Sequence, residues 1–278
     1  MRRNNNSKIT LDKWVVDILA NPISKCPASL QEFMHSGGIV DARVLLKNTL
    51  GFSEWDTGQS VYEKWESGGH GYASQVESYK AEIAYDRPIY EHFRMDGVVL
   101  DVGGGSCTVR EFLPLETKII SVDPYLSCMQ EVPKAKIEAY SCLARPLNFI
   151  GAMAEFLPFI HSQFNWVHMR SMLDHVQIAD LAILEAHRVL KKGGNLLIGL
   201  YVEGGKTGNL SSKEKLKHLI KDGLTLIGFN KWKDHHIWHP TYSNLTKLIE
   251  DNGFVIQDVY WQPYWNEQVC YVHAKKRV

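Results

Sequence analysis

The sequence predicts an α/β fold built on a mostly parallel sheet, and three observations support it. From about Val98 onward, short apolar runs alternate with helical patterns, the order that βαβ units produce. The first run, Val98-Val99-Leu100-Asp101-Val102, is β-branched and stops at Gly103-Gly104-Gly105, as a buried strand feeding a tight turn does. The region from Ala179 to Lys192 carries apolar residues at helical spacing directly before another apolar run.

The elements follow in order. A second strand is expected over Ile119-Ile120-Ser121-Val122, ending at Asp123-Pro124; a third lies around Leu147 to Ile150 before Gly151, and a fourth over Phe164 to Met169. Ala182, Ile183, Ala186, Val189 and Leu190 recur at i, i+3, i+4, i+7 and i+8, which predicts a helix over 179–192. Its expected end has Arg188, Lys191 and Lys192 in the last turn and Gly193-Gly194 as the C-cap. A fifth strand, Asn195 to Tyr201, follows at once. A helix from Tyr242 to Asp251, capped by Thr241 or Ser243, precedes strands near Phe254–Trp261 and Val269–His273, which read as a terminal antiparallel hairpin. Residues 203–240 form an insertion with seven lysines and the run Asp234-His235-His236-Ile237-Trp238-His239. It leaves the C-terminal end of a strand, where ligands bind in such sheets, and is the expected substrate lid.

Composition narrows the function classes. The 278 residues are 45% hydrophobic and 22% charged, ordinary for a globular protein. Lys and Arg total 31 against 31 for Asp and Glu, so no basic field exists to hold a phosphate backbone, and nucleic acid is not the expected partner. Five scattered cysteines without a C-x-x-C pair argue against a disulfide framework and an intact zinc ribbon, and point to a reducing cytoplasm. No run reaches the roughly 18 apolar residues of a membrane span, and no signal peptide is expected.

The glycines after the first strand let backbone approach a ligand closely, and the helix expected to follow offers free N–H groups to a carboxylate or phosphate. An acid ending the second strand can accept both hydroxyls of a ribose, and Asp123 lies eighteen residues past Gly105, near the spacing of a nucleoside site. A nicotinamide dinucleotide would want G-x-G-x-x-G, but Thr108 stands three residues after Gly105, which leaves a poor pyrophosphate turn.

Over most of residues 96–262 the chain resembles the class I S-adenosylmethionine-dependent methyltransferases, of the type 11 kind. Val99-Leu100-Asp101-Val102-Gly103-Gly104-Gly105-Ser106-Cys107 is similar to their first motif, Ser121-Val122-Asp123-Pro124 to their ribose-binding strand end, and Gly151 to Phe159 to their adenine-side segment. Phe164-Asn165-Trp166-Val167 and Glu185 to Gly194 resemble the strand and the helix–turn that follow. The resemblance implies a Rossmann-like fold: a mostly parallel seven-stranded sheet, helices on both faces, a terminal antiparallel strand and a small N-terminal helical or irregular extension. It implies S-adenosylmethionine as cofactor, held by Asp101, Gly103, Gly104, Gly105, Asp123, Pro124, Met153, Ala154 and Glu155, with Arg170 and Tyr72 beside it. Three positions depart from the pattern. Cys107 replaces a glycine, so the backbone there is expected to do without positive φ. Met153 stands where an aspartate often reaches the adenine amine, and Asn165 replaces a common aspartate. Adenine contact is then expected from the backbone at Ala154 and Glu155.

The expected division is 1–60 as an N-terminal extension, 61–95 as a helical cap over the cofactor, and 96–278 as the methyltransferase domain with its lid. Leu11 to Cys26 with Gly37 to Asp41 resembles a degenerate zinc-ribbon-like segment, in which Asn21 stands for a cysteine, and no metal is expected there or at the Asp234–His239 run, whose irregular spacing defines no ligand geometry. In the cap, Tyr62, Trp65 or Tyr72 is placed to close over the cofactor or simply to pack.

A sulfonium already carries an activated methyl group, so the enzyme must chiefly align a nucleophile with it. A general base is needed only for a nucleophile that must lose a proton. His175, with Asp174 beside it, and His236 of the lid are the candidate catalytic residues, and Arg170 is the candidate anion anchor. The expected activity is methyl transfer to a small-molecule acceptor, a glycan or natural-product intermediate. A silent S-adenosylmethionine-binding scaffold and a protein or tRNA methyltransferase are the alternatives.

Overall fold

A computed structural model of the chain describes residues 9–49, 51–66, 75–127, 132–208, 220, 236–263 and 267–277. Its strands are β1 (Ile9–Thr10), β2 (Met34–Ser36), β3 (Ile39–Asp41), β4 (Val98–Val102), β5 (Lys118–Asp123), β6 (Leu147–Gly151), β7 (Phe164–Arg170), β8 (Leu190–Tyr201), β9 (Phe254–Trp261) and β10 (Val269–Lys276). The helices are α1 (Lys13–Val16), α2 (Phe52–Glu66), α3 (Val76–Phe93), α4 (Lys134–Ala139), α5 (Ala179–Val189) and α6 (Tyr242–Asp251).

Among the described residues these strands form one sheet in the order β2-β3-β6-β5-β4-β7-β8-β10-β9, with β1 also on β6. Strands β6, β5, β4, β7 and β8 run parallel. β10 is antiparallel to both β8 and β9, so the seven strands from β4 on match the expected sheet and its terminal hairpin. The three short N-terminal strands were not expected in it. β1 pairs with β6 at Leu147 and Asn148, and β3 pairs with it at Ile150 and Gly151, so the extension closes the edge that β6 would otherwise expose.

The period of two along β4 distributes the core. Leu100 and Val102 join the cluster containing Ala182, Ile183, Ala186 and Val189 of α5. Val99 turns to the opposite face, where Ile89, Tyr90 and Phe93 of α3 pack. All four of those α5 residues are fully buried, as their helical spacing predicts.

The end of α5 differs from expectation. The helix stops at Val189, and Leu190, Lys191, Lys192, Gly193 and Gly194 belong to β8. Leu190 is fully buried and pairs with Phe164 at the start of β7, so burying it in the sheet outweighs one more helical turn. Arg188 sits in the last turn as expected, and a second cation at the helix end comes from the far C-terminus. Lys276 Nζ donates to the carbonyls of His187 (2.6 Å) and Leu190 (2.8 Å). The other expected helix holds as expected: α6 spans 242–251, and the Thr241 side chain accepts from Asn244 N–H.

No helix among the described residues is long and apolar enough to cross a membrane. Strand order reverses on either side of β4, and such a switch point opens a crevice at the carboxyl ends of the strands.

Candidate functional site

The crevice is a cavity of about 340 Å³, within the range of small-molecule sites. Its floor starts with the turn after β4. Gly103 has φ +68°, and a Cβ there would stand 2.6 Å from Met172 Cβ; one on Gly104 would stand 1.9 Å from Asp101 Oδ2. Gly105, at φ +51°, would point a Cβ at no atom within 4 Å, and it lines the cavity. Open space there is what a ligand lying against the backbone requires. Cys107 corrects the sequence reading: it sits at φ +55° in the left-handed region, with its N–H on Gly104 O at 2.7 Å. A non-glycine there costs about 1–2 kcal/mol, offset by full burial of the thiol in an apolar cluster. That burial also pushes its pKa up.

At the end of β5, Asp123 Oδ2 accepts Gly105 N–H and Oδ1 accepts Tyr125 N–H, both at 2.8 Å. These two bonds fix the orientation of a carboxylate that lines the cavity. Arg43 braces the turn from β3: it pairs with Asp41 at 2.7 Å and donates to Pro124 O at 3.1 Å. The N-terminal strands therefore support this part of the cavity.

Met153, Ala154 and Glu155 follow β6 and line the same cavity, and Ala152 N–H is held on Asp123 O. The Glu155 carboxylate, buried and for that reason raised in pKa, accepts Gln177 N–H (2.9 Å) and Ile178 N–H (3.4 Å). It organises the loop after β7, so what this segment offers an adenine is backbone. Asn165 lies at the opposite end of β7, where its Oδ1 accepts Val98 N–H and Lys191 Nζ. Its departure from the aspartate pattern thus falls outside the cavity.

Beneath the glycine turn, Asp101 Oδ1 meets His168 Nδ1 at 2.7 Å, and His168 Nε2 meets Tyr90 OH at 3.1 Å. Burial holds the Tyr90 phenol well above its ordinary pKa. It therefore keeps its proton beside Nε2 of His168. Arg170, at the end of β7, grips the buried Asp86 of α3 through both carboxylate oxygens. Sequence reasoning missed His168, Tyr90 and Asp86. The available signals were a histidine inside an apolar strand and an acid on the apolar face of α3, three residues from Ile83 and from Ile89.

The candidate chemistry lines the same cavity. His175 lines it together with Tyr62, Gln59 and Trp55 of α2. The His175 ring stacks on His236 with centroids 4.5 Å apart, and Tyr62 meets His175 edge-on at 4.4 Å. Asp174 lies beside both imidazoles, its Oδ1 3.7 Å from His175 Nε2 and its Oδ2 3.5 Å from His236 Nε2. The two histidines, 61 residues apart in sequence, meet because Asp174 O accepts the N–H groups of Ile237 (2.8 Å) and Trp238 (3.2 Å). Tyr72, the side chain of Trp65, His235 and most of the lid lie outside the described residues. The structure thus gathers Asp101, the three glycines, Asp123, Pro124, Met153, Ala154, Glu155, Arg170 and His175 around one space, with His236 against His175. S-adenosylmethionine fits this set, because a carboxylate able to accept hydroxyls, a glycine floor and the apolar residues Ala152, Met153 and Ala154 line one cavity.

Comparison with known proteins agrees. Residues 100–198 match the family model described as a methyltransferase domain. A ubiquinone/menaquinone biosynthesis C-methyltransferase of Francisella tularensis is 33% identical over 104 residues, 36% of this chain; the aligned stretch spans only 41% of that relative's length. A structure described as a methyltransferase from Bacillus halodurans superposes with a TM-score of 0.52 at 15% identity, covering 69% of this chain and 99% of that one. A SAM-dependent methyltransferase structure from Thermotoga maritima gives 0.50 at 18% identity, covering 81% and 99%. At such identities these two speak for the fold alone. Residues 100–198 thus match a methyltransferase domain, and the strand order and cavity around them are of the kind that holds S-adenosylmethionine.

Proposed function

We propose that the chain transfers a methyl group from S-adenosylmethionine to a small-molecule acceptor. The observation that carries this reading is the continuity of the cavity. The acid Asp123, the glycine turn and His175 of the imidazole–carboxylate group all line it. When bound, the cofactor supplies a methyl group already activated on a sulfonium. The protein has then to bind, orient and exclude water.

Asp123 is assigned to the ribose hydroxyls, Gly103 to Gly105 to close backbone contact, Met153 and Ala154 to the adenine side, and Asp101 and Arg170 to the polar end of the cofactor. Asp86 positions Arg170, and His168 positions Asp101. His175 and His236 are the groups placed to assist a nucleophile that must lose a proton, and Met172 and Val176 supply apolar walls. The space under α2 supports a small acceptor, as does the zero net charge, which offers nothing to a nucleic-acid backbone.

Calorimetric titration with S-adenosylmethionine and with its demethylated product tests the cofactor. Wild type is expected to bind both in the micromolar range, and Asp123→Ala to bind neither. Radiolabelled methyl incorporation into panels of hydroxyl and amine small molecules, tRNA and protein then tests the acceptor. Binding without transfer to any panel would replace the enzyme reading with that of a cofactor-binding scaffold.

A further inference from the structure

We infer that Asp174, His175 and His236 form a binding site for a divalent first-row metal ion where His175 lines the cavity. The three candidate donor atoms lie within 4.8 Å of one another. The separations of 3.5 and 3.7 Å from the Asp174 oxygens to the two Nε2 atoms are too long for hydrogen bonds. They are near the spacing of neighbouring ligands on one ion: bonds of about 2.0–2.2 Å in a tetrahedral shell place donors about 3.3–3.6 Å apart.

A second observation comes from Asp174 itself. The residue is 8% exposed, and its Oδ1 has no hydrogen-bond partner among the described residues. A buried carboxylate oxygen without a donor is costly unless a cation compensates it. The set is also held rigidly, as metal sites require. Asp174 O accepts two lid N–H groups beside His236, His175 N–H is held on Met172 O, and Glu155 fixes the loop from its other end.

Two imidazoles and one carboxylate suit Zn²⁺, Co²⁺, Fe²⁺ or Mn²⁺, and three protein donors leave a coordination position open. His175 lines the cavity, so the open position is available to an acceptor oxygen. A hydroxyl bound there gives up its proton to water and keeps the electron pair on oxygen at a pH near neutrality. That role rests on the methyltransferase reading; the metal site does not. Sequence reading found no geometry here, because His236 stands on an irregular segment far from Asp174 in the chain.

The test uses full-length, tag-free protein stripped with a chelator and titrated with Zn²⁺ by calorimetry and Co²⁺ by visible absorption. One equivalent per chain is expected, with the d–d bands of a four- or five-coordinate Co²⁺. Asp174→Asn and His236→Gln should each weaken binding at least about 10-fold, whereas His35→Gln, on the exposed β2, should leave it unchanged. His236 lies outside the core, so H236Q keeps the test valid should D174N unfold. Wild type without a stoichiometric site, or affinity indifferent to H236Q and D174N, overturns the inference. S-adenosylmethionine titration of the same samples separates the two readings. Metal without cofactor binding retains the site and rejects the methyltransferase reading, and cofactor without metal binding does the reverse.

Discussion

At the scale of single residues, the site depends on where a side chain cannot go. Gly104 and Gly105 are neighbours in one turn, yet they tolerate a methyl group differently. At Gly104 the methyl would collide with Asp101 Oδ2 at 1.9 Å and Ser121 Oγ at 2.5 Å, and Asp101 cannot yield because His168 holds it. Gly104→Ala is expected to cost several kcal/mol, about 3 or more, the scale of overpacking, and to abolish cofactor binding. Gly105→Ala meets open space, so it should cost only the left-handed φ, about 1–2 kcal/mol. Its added methyl narrows the cavity, and cofactor affinity should fall while the fold persists. Thermal melts and calorimetry on both variants check this contrast; equal melting temperatures would refute it. Cys107 shows that the same turn accepts a left-handed non-glycine where the side chain is packed in the core.

At the scale of elements, the C-terminal hairpin ties together parts that the sequence keeps apart. His273 of β10 stacks on Trp166 of β7 at 5.1 Å and meets Phe93 of α3 at 5.9 Å. Burial lowers its pKa from the ordinary 6.5, and burial together with Lys276 lowers that of His187 in α5. A depressed histidine contributes stability that is present above the unfolded value of about 6.5 and is lost as pH falls through the folded value. The melting temperature of wild type is therefore expected to drop between pH 7.5 and pH 5. In His273→Gln, whose amide can still donate to Asn195 Oδ1 as His273 Nε2 does, the drop should be smaller. An identical pH slope in the two proteins would contradict the assignment. The end of α5 makes the same point. Its second C-terminal cation is Lys276, 86 residues from Leu190 in sequence, and not the local Lys191 or Lys192 that helix-end rules select.

At the scale of the whole molecule, the N-terminal residues act as the edge of the sheet. β1 and β3 together cover the outer edge of β6, Asn148 exchanges hydrogen bonds with Asp12, and Arg43 reaches the Asp123–Pro124 turn. Removing residues 1–41 would strip β6 of these partners and leave an unpaired strand edge, a template for association. The truncated chain is expected to melt at lower temperature and to scatter light on concentration. A monodisperse truncated protein with the full-length melting temperature would show that the edge is dispensable.

The seven strands from β4 onward, the buried face of α5, the glycine turn and Asp123 were legible in the amino-acid order alone. Those features are local, since strand and helix periods, turn glycines and an acid at a strand end are each written within a few consecutive residues. Only the tertiary structure decided the pairings that complete the site. Asp101 with His168, Tyr90 with His168, and Arg170 with Asp86 join residues 67, 78 and 84 positions apart. The meeting of His175 with His236 and the three N-terminal strands belong to the same class. Such contacts follow from strand order and from which face each alternate residue takes. No local pattern encodes them, because their energy exists only once the sheet has brought the partners together.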